Sequence, residues 1–163
     1  GRLRAAAGGG GAAVVGGGLG GGYGVGAGDA SGVVVGCRGL DRYRGFDEPT
    51  GELACGAGTS LGQIMADFAP RGFVPPDCHG SKFVTLGGCI ANDIHGKAHH
   101  VDGSFSECVR GMTVLLADGQ VVTASRDERT DLFWASFGGM GLLGIILTAT
   151  ITLRKIETTF FQQ

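Results

Sequence analysis

The chain has 163 residues and carries 13 lysines and arginines against 15 aspartates and glutamates, with a pI near 6.1. That length serves one domain with a sizeable core, and nothing in the slightly negative balance suggests a surface built for nucleic acid or anionic membrane. The longest apolar run, Leu142 to Leu153, is interrupted by glycine and threonine and falls short of the roughly 18 residues of a spanning helix. The opening at Gly1 does not read as a signal peptide. Five cysteines, Cys37, Cys55, Cys78, Cys89 and Cys108, are dispersed without a Cys-x-x-Cys pair. They read as small buried hydrophobes rather than as a disulfide framework or a structural zinc site.

Of the 34 glycines, 16 precede Cys37. Within that stretch Ala12-Ala13-Val14-Val15 reads as a short buried strand, feeding directly into Gly16-Gly17-Gly18-Leu19-Gly20-Gly21-Gly22-Tyr23-Gly24. A strand that runs into a glycine loop presents bare backbone amides, which suits a pyrophosphate. Val33-Val34-Val35 is a second strand. A hairpin follows from Leu40-Asp41-Arg42-Tyr43, turns at Asp47-Glu48-Pro49-Thr50-Gly51 and returns along Glu52-Leu53-Ala54-Cys55. Ser60 with Gln63 forms a capping box. It opens a helix whose Leu61, Ile64, Met65 and Phe68 share one apolar face and which stops near Gly72. These apolar side chains read as core.

Farther on, Met112 to Leu116 and Gln120 to Ala124 flank Asp118-Gly119, a strong hairpin signal. Thr130-Asp131 opens a short helix through Trp134 to Phe137. A bare Gly138-Gly139-Met140-Gly141-Leu142-Leu143-Gly144 loop then leads into a strand. In it Thr148, Thr150 and Thr152 alternate with Leu147, Ala149, Ile151 and Leu153. The fold class is α+β, with two sheet-containing lobes and the Ser60–Phe68 helix covering one of them.

The informative stretch is Pro75 to Phe105. It holds all four histidines, His79, His95, His99 and His100, and the pair Gly87-Gly88. Paired glycines let backbone approach a flat or charged group closely. Ser81, Thr85, Asn92 and His95 surround them with donors. The run Val84-Thr-Leu-Gly-Gly-Cys-Ile-Ala-Asn-Asp-Ile-His-Gly-Lys-Ala-His-His-Val-Asp-Gly-Ser-Phe105 resembles the flavin-facing segment of FAD-linked oxidases with a PCMH-type FAD-binding domain, the vanillyl-alcohol oxidase group. It is nearest the decaprenylphosphoryl-ribose 2-oxidase-like branch.

The resemblance implies non-covalent FAD and a PCMH-type domain over residues 1–155, truncated at its N-terminus, with 156–163 leading towards an absent cap domain. It places the diphosphate on Gly16, Gly17, Gly18, Leu19, Gly20, Gly21, Gly22, Tyr23 and Gly24. Family members carry arginines, a serine and an aspartate in this loop; Gly17, Gly21, Gly22 and Val25 replace them here, which implies weaker binding by backbone alone. No histidine stands in the loop to bond the flavin. Gly80, Ser81, Thr85, Leu86, Gly87, Gly88, Ala91, Asn92, His95, Gly96 and Ile146 complete the cofactor set, with Gly138 to Ile146 closing the site. His95 and Lys97 take the catalytic positions, near the reactive edge of the ring. The implied reaction is oxidation of a hydroxyl carbon of a sugar, alditol or lactone-type molecule, with oxygen or a quinone-like compound as electron acceptor. Two other readings stay open: a flavin-free binding or scaffold domain, and a metal-dependent enzyme using His95, His99 and His100 with Asp102.

Overall fold

A computed structural model describes residues 14–20, 33–76, 81–97 and 99–158. Ala12, Ala13, Cys78, His79 and Gly80, with the part of the first loop from Gly21 to Gly24, lie outside the described residues. Strands β1 (Val14–Gly17) and β2 (Val33–Gly36) form a parallel pair, Val14 opposite Val33. The larger sheet contains β3 (Tyr43–Asp47), β4 (Glu52–Gly56), β6 (Val109–Leu115), β7 (Val121–Ser125) and β8 (Ile145–Thr152). Its strand order is β3-β4-β8-β6-β7, antiparallel throughout. Two residues each from β5 (Phe73–Val74) and β9 (Arg154–Lys155) pair separately.

The alternation read along the last long strand sorts its faces. In β8 Ala149 and Ile151 are buried, while the threonines are half-buried. On that second face Thr148 stands opposite Thr113 of β6, and their hydroxyls are 2.7 Å apart. Such cross-strand pairs contribute about 0.2–1 kcal/mol and help to fix register. Both expected hairpins form: β3 to β4, and β6 to β7, where Leu116 N–H donates to the Gln120 carbonyl at 2.8 Å.

Helix α1 (Leu61–Phe68) starts on the expected capping box. Ser60 Oγ accepts from Gln63 N–H at 3.1 Å, and Gln63 Oε1 accepts from Ser60 N–H at 2.9 Å. Leu61, Ile64 and Phe68 turn inward onto Leu53, Cys55, Val109, Met112 and Ile151 of the sheet, in one core that also takes Phe105 and Phe133. Burying each such side chain contributes roughly 1.5–3 kcal/mol. A second, smaller core of Cys37, Leu115 and Ile145 seats the β1–β2 pair against the start of β8. These are the two lobes, and the cleft between them is where the glycines collect.

The described residues also form three shorter α-helices: α2 (Leu86–Ala91), α3 (His99–Asp102) and α4 (Thr130–Ser136). The position of α2 is a finding, because Gly87 and Gly88 lie inside it and glycine disfavours helix. Tertiary contacts supply what propensity withholds. Leu86 N–H donates to the Thr59 carbonyl and Gly87 N–H to the Ala57 carbonyl, both at 2.8 Å. In return, Leu61 and Gly62 at the start of α1 donate to the Val84 and Lys82 carbonyls, at 3.0 and 2.9 Å. Each helix start is held by the segment leading into the other.

Candidate cofactor site

The cleft has a volume of about 280 Å³ and is walled by three segments from distant parts of the sequence. One wall is Gly16 to Gly20 at the end of β1. The second is the α2 region, with Val84, Thr85, Gly87, Gly88, Ala91, Asn92 and Ile94. The third is the loop into β8, with Met140, Gly141, Gly144, Ile145 and Ile146, and Cys37 and Ala57 fill the gaps.

Local chemistry positions the second wall. Thr85 is the N-cap of α2, its Oγ1 accepting from Gly88 N–H at 3.2 Å. With Leu86 and Gly87 bonded to Thr59 and Ala57, the first three amides of this helix are all engaged within the chain. They are therefore not donors for an anion. Among the described residues the amides of Gly18, Leu19 and Gly20 have no such partner, so the anion-binding capacity lies with the first loop.

The two glycines of α2 do different things. A Cβ on Gly87 would stand 3.1 Å from the Ala57 Cβ and 3.3 Å from its carbonyl, so Gly87 lets the helix start pack on the end of β4. A Cβ on Gly88 would meet only the Thr85 hydroxyl, at 3.1 Å, and otherwise stand in the cleft.

The third wall is tied to the second by one bond, Met140 N–H to the Ala91 carbonyl at 2.9 Å. Met140 has a left-handed backbone, φ 54°, uncommon for a side chain of its size.

Beyond Ile94 the chain leaves the cleft as a loop with a pinned base. Phe105 N–H donates to the Ile94 carbonyl at 2.9 Å, and Ser106 N–H to Asp93 Oδ1 at 3.1 Å. His95, Lys97, His99 and His100 stand exposed on it. His95 and Lys97 thus follow directly on the lining without belonging to it, as does Gly96. Ser81 also stays outside; its Oγ accepts from Phe83 N–H at 3.2 Å. Leu86 is wholly buried in the main core. The expected residues that do meet at the cleft are Gly16, Gly17, Gly18, Leu19, Gly20, Thr85, Gly87, Gly88, Ala91, Asn92 and Ile146. Cys37, Ala57 and Ile94 join them without any signal in the sequence, because only folding brings them there.

Electrostatically the described lining is nearly neutral. It has no lysine, arginine, histidine, aspartate or glutamate. Its one thiol, Cys37, donates to the Val35 carbonyl at 3.3 Å, and burial pushes its pKa up against the opposing pull of a backbone bond to Gly17. Among the described residues no three histidine, cysteine, aspartate or glutamate side chains are grouped to hold a metal ion.

A family described as "FAD binding domain" matches residues 6–125 of this chain. The chain belongs to this family of FAD-binding domains. Decaprenylphosphoryl-beta-D-ribose oxidase of Mycolicibacterium smegmatis is 44% identical over 146 residues, covering 88% of this chain and 32% of that protein. Probable D-2-hydroxyglutarate dehydrogenase, mitochondrial, of Oryza sativa subsp. indica is 33% identical over 134 residues, covering 78% of this chain and 24% of that protein. The chain therefore matches a third or less of the length of these relatives. Among solved structures, 6-hydroxy-D-nicotine oxidase from Arthrobacter nicotinovorans superposes with a TM-score of 0.74 at 23% identity, over 86% of this chain and 31% of that one. The fold is the α+β fold of PCMH-type FAD domains, and the cofactor of this FAD-binding domain is FAD. No helix among the described residues is long and apolar enough to cross a membrane.

The cleft fits that cofactor on its own terms. It offers amides at Gly18 to Gly20 that have no partner among the described residues, no acidic side chain in the described lining to repel a diphosphate, and apolar walls at Val84, Ile94 and Ile146 for a ring system.

Proposed function

We propose that this domain holds FAD non-covalently and serves an oxidoreductase that oxidises a hydroxyl carbon of a sugar, alditol or lactone-type substrate. The observation that carries the reading is the cleft, with the Gly18 and Gly20 amides, which have no partner among the described residues, on one wall and the side-chain-free Gly88 on another. FAD, when bound, supplies the two-electron acceptor for hydride from that carbon. The chain's own residues bind and orient. Gly18, Leu19 and Gly20 donate their amides to the diphosphate, Gly88 lets the isoalloxazine approach the α2 backbone, and Asn92 adds side-chain polarity beside it. Met140 to Ile146 exclude water from the third side. His95 and Lys97, next along the chain from the lining, hold the substrate hydroxyl at the mouth, where an imidazole accepts its hydrogen bond and an ammonium offsets developing negative charge.

Two features support non-covalent binding. Gly16 to Gly24 contains no histidine, and burial keeps the Cys37 thiol protonated and so a poor nucleophile. On this reading residues 1–155 are the FAD-binding unit and 156–163 lead towards a substrate-covering domain, for which the matched relatives have ample length. The electron acceptor is oxygen or a quinone-like molecule. A flavin-free binding domain is the second reading, favoured by the lack of any cationic side chain in the described lining. Reconstitution with FAD followed by gel filtration separates the two. A yellow protein that releases all its flavin on acid denaturation is expected, and a colourless one would sink the proposal.

A further inference from the structure

We propose that His95 and His99 form a two-imidazole site for a divalent transition cation of the zinc class, at the mouth of the cleft. Their ring centroids are 5.2 Å apart with planes inclined at 58°, and both side chains are exposed. Two imidazoles bound to one tetrahedral ion, with metal–nitrogen bonds of about 2.0–2.1 Å, hold their centroids roughly 5 Å apart, so the pair is already spaced for a shared ligand. His99 is also set in the form a metal needs. Its Nδ1 lies 3.2 Å from the Gly96 carbonyl oxygen. A carbonyl can only accept, so Nδ1 is the donating nitrogen of this contact and Nε2 is the one left to face an ion. Metal-binding histidines are usually oriented in this way, the ring nitrogen away from the ion donating to a backbone carbonyl or carboxylate.

The site is open, and water completes the coordination sphere. His100 lies 6.0 Å from His99 with its ring at 89°, and neighbouring positions on a helical turn do not share a face. It therefore stays outside the pair. Lys97 stands between the two ligands in sequence, and its charge opposes a dication, so the affinity is that of a modulating ion rather than of a structural one. An ion held here takes the His95 imidazole away from the mouth of the cleft. The site uses only this chain's side chains and does not depend on the flavin reading.

The test is calorimetric titration of zinc chloride into the purified flavin-free chain, repeated for His95→Ala, His99→Ala and His100→Ala, with circular dichroism as the fold control. One zinc per chain is expected, weakened about tenfold or more by either of the first two changes and less than about twofold by the third. Cobalt(II) should bind without thiolate charge-transfer absorption. The proposal is overturned by no binding, by equal binding in the His95→Ala and His99→Ala variants, or by a thiolate band that assigns the ion to cysteine.

Discussion

Gly18 and Thr85 approach so closely that a Cβ on Gly18 would stand 2.5 Å from Thr85 Oγ1 and 3.4 Å from its Cγ2. That hydroxyl is already engaged as the N-cap of α2, accepting from Gly88 N–H. The glycine loop of one lobe and the helix start of the other are thus set against each other at a single side chain.

Gly18→Ala should push Thr85 from its capping position and cost about 1 kcal/mol, as should Thr85→Ala by deleting the cap. The double variant should lose less than the sum, because the clash disappears with the side chain it strikes. Urea unfolding of the four proteins measures this. Strict additivity would mean that the two residues do not meet.

Gly87 and Gly88 should separate stability from binding. Gly87→Ala crowds the Ala57 backbone and should cost about 1–3 kcal/mol by overpacking. Gly88→Val meets only the Thr85 hydroxyl and should fold, yet lose FAD, since its side chain occupies the cleft. Thermal unfolding and flavin absorbance of the two variants give the comparison. Yellow Gly88→Val protein would make this stretch structural only.

Gly20 has φ of 74°, with no described residue within 4 Å of where a Cβ would stand. Strain, not crowding, is therefore the expected effect of Gly20→Val, about 1–2 kcal/mol, together with loss of FAD as the loop changes shape. Gly20→Asn tolerates the left-handed region and should keep most of the binding. Equal flavin affinity in Gly20→Val and the parent chain would remove the loop from the cofactor site.

Burial pushes the Cys55 thiol up to about 11, the neighbouring Thr59 hydroxyl pulling the other way. Ionisation is thus harder in the fold than in the unfolded chain, where a thiol titrates near about 8.5. The stability this reflects is complete below that value and is lost as pH rises towards 11. The slope is at most about 1.4 kcal/mol per pH unit from this group. Cys55→Ala should be less stable at neutral pH but show a flatter decline above pH about 9. Urea midpoints across that range decide it, and parallel curves for the two proteins would refute it.

The sequence by itself determined what local chemistry controls. Ser60 and Gln63 are three residues apart, and a capping box needs nothing else, so the start of α1 was legible. Asp118-Gly119 sits between two apolar runs, and the alternating threonines of β8 allow only one face to be buried, so hairpin and strand were legible too. The motif from Val84 to Phe105 carried the cofactor class.

Only the tertiary structure decided that Gly87 and Gly88 belong to a helix. Their propensity argues against one, and the bonds from Leu86 and Gly87 that hold it end on Thr59 and Ala57, far away in sequence. The same distance hid Cys37, Ala57 and Ile94, whose identities are those of ordinary core residues until folding sets them beside the glycines. It also decided which amides are left for an anion. Gly18 and Gly20 look no different from Gly87 and Gly88 as letters, but the second pair has its donors bound within the chain, and the first two have no such partner among the described residues. Hydrogen-bond satisfaction is a property of where the chain returns, and no window of sequence records it.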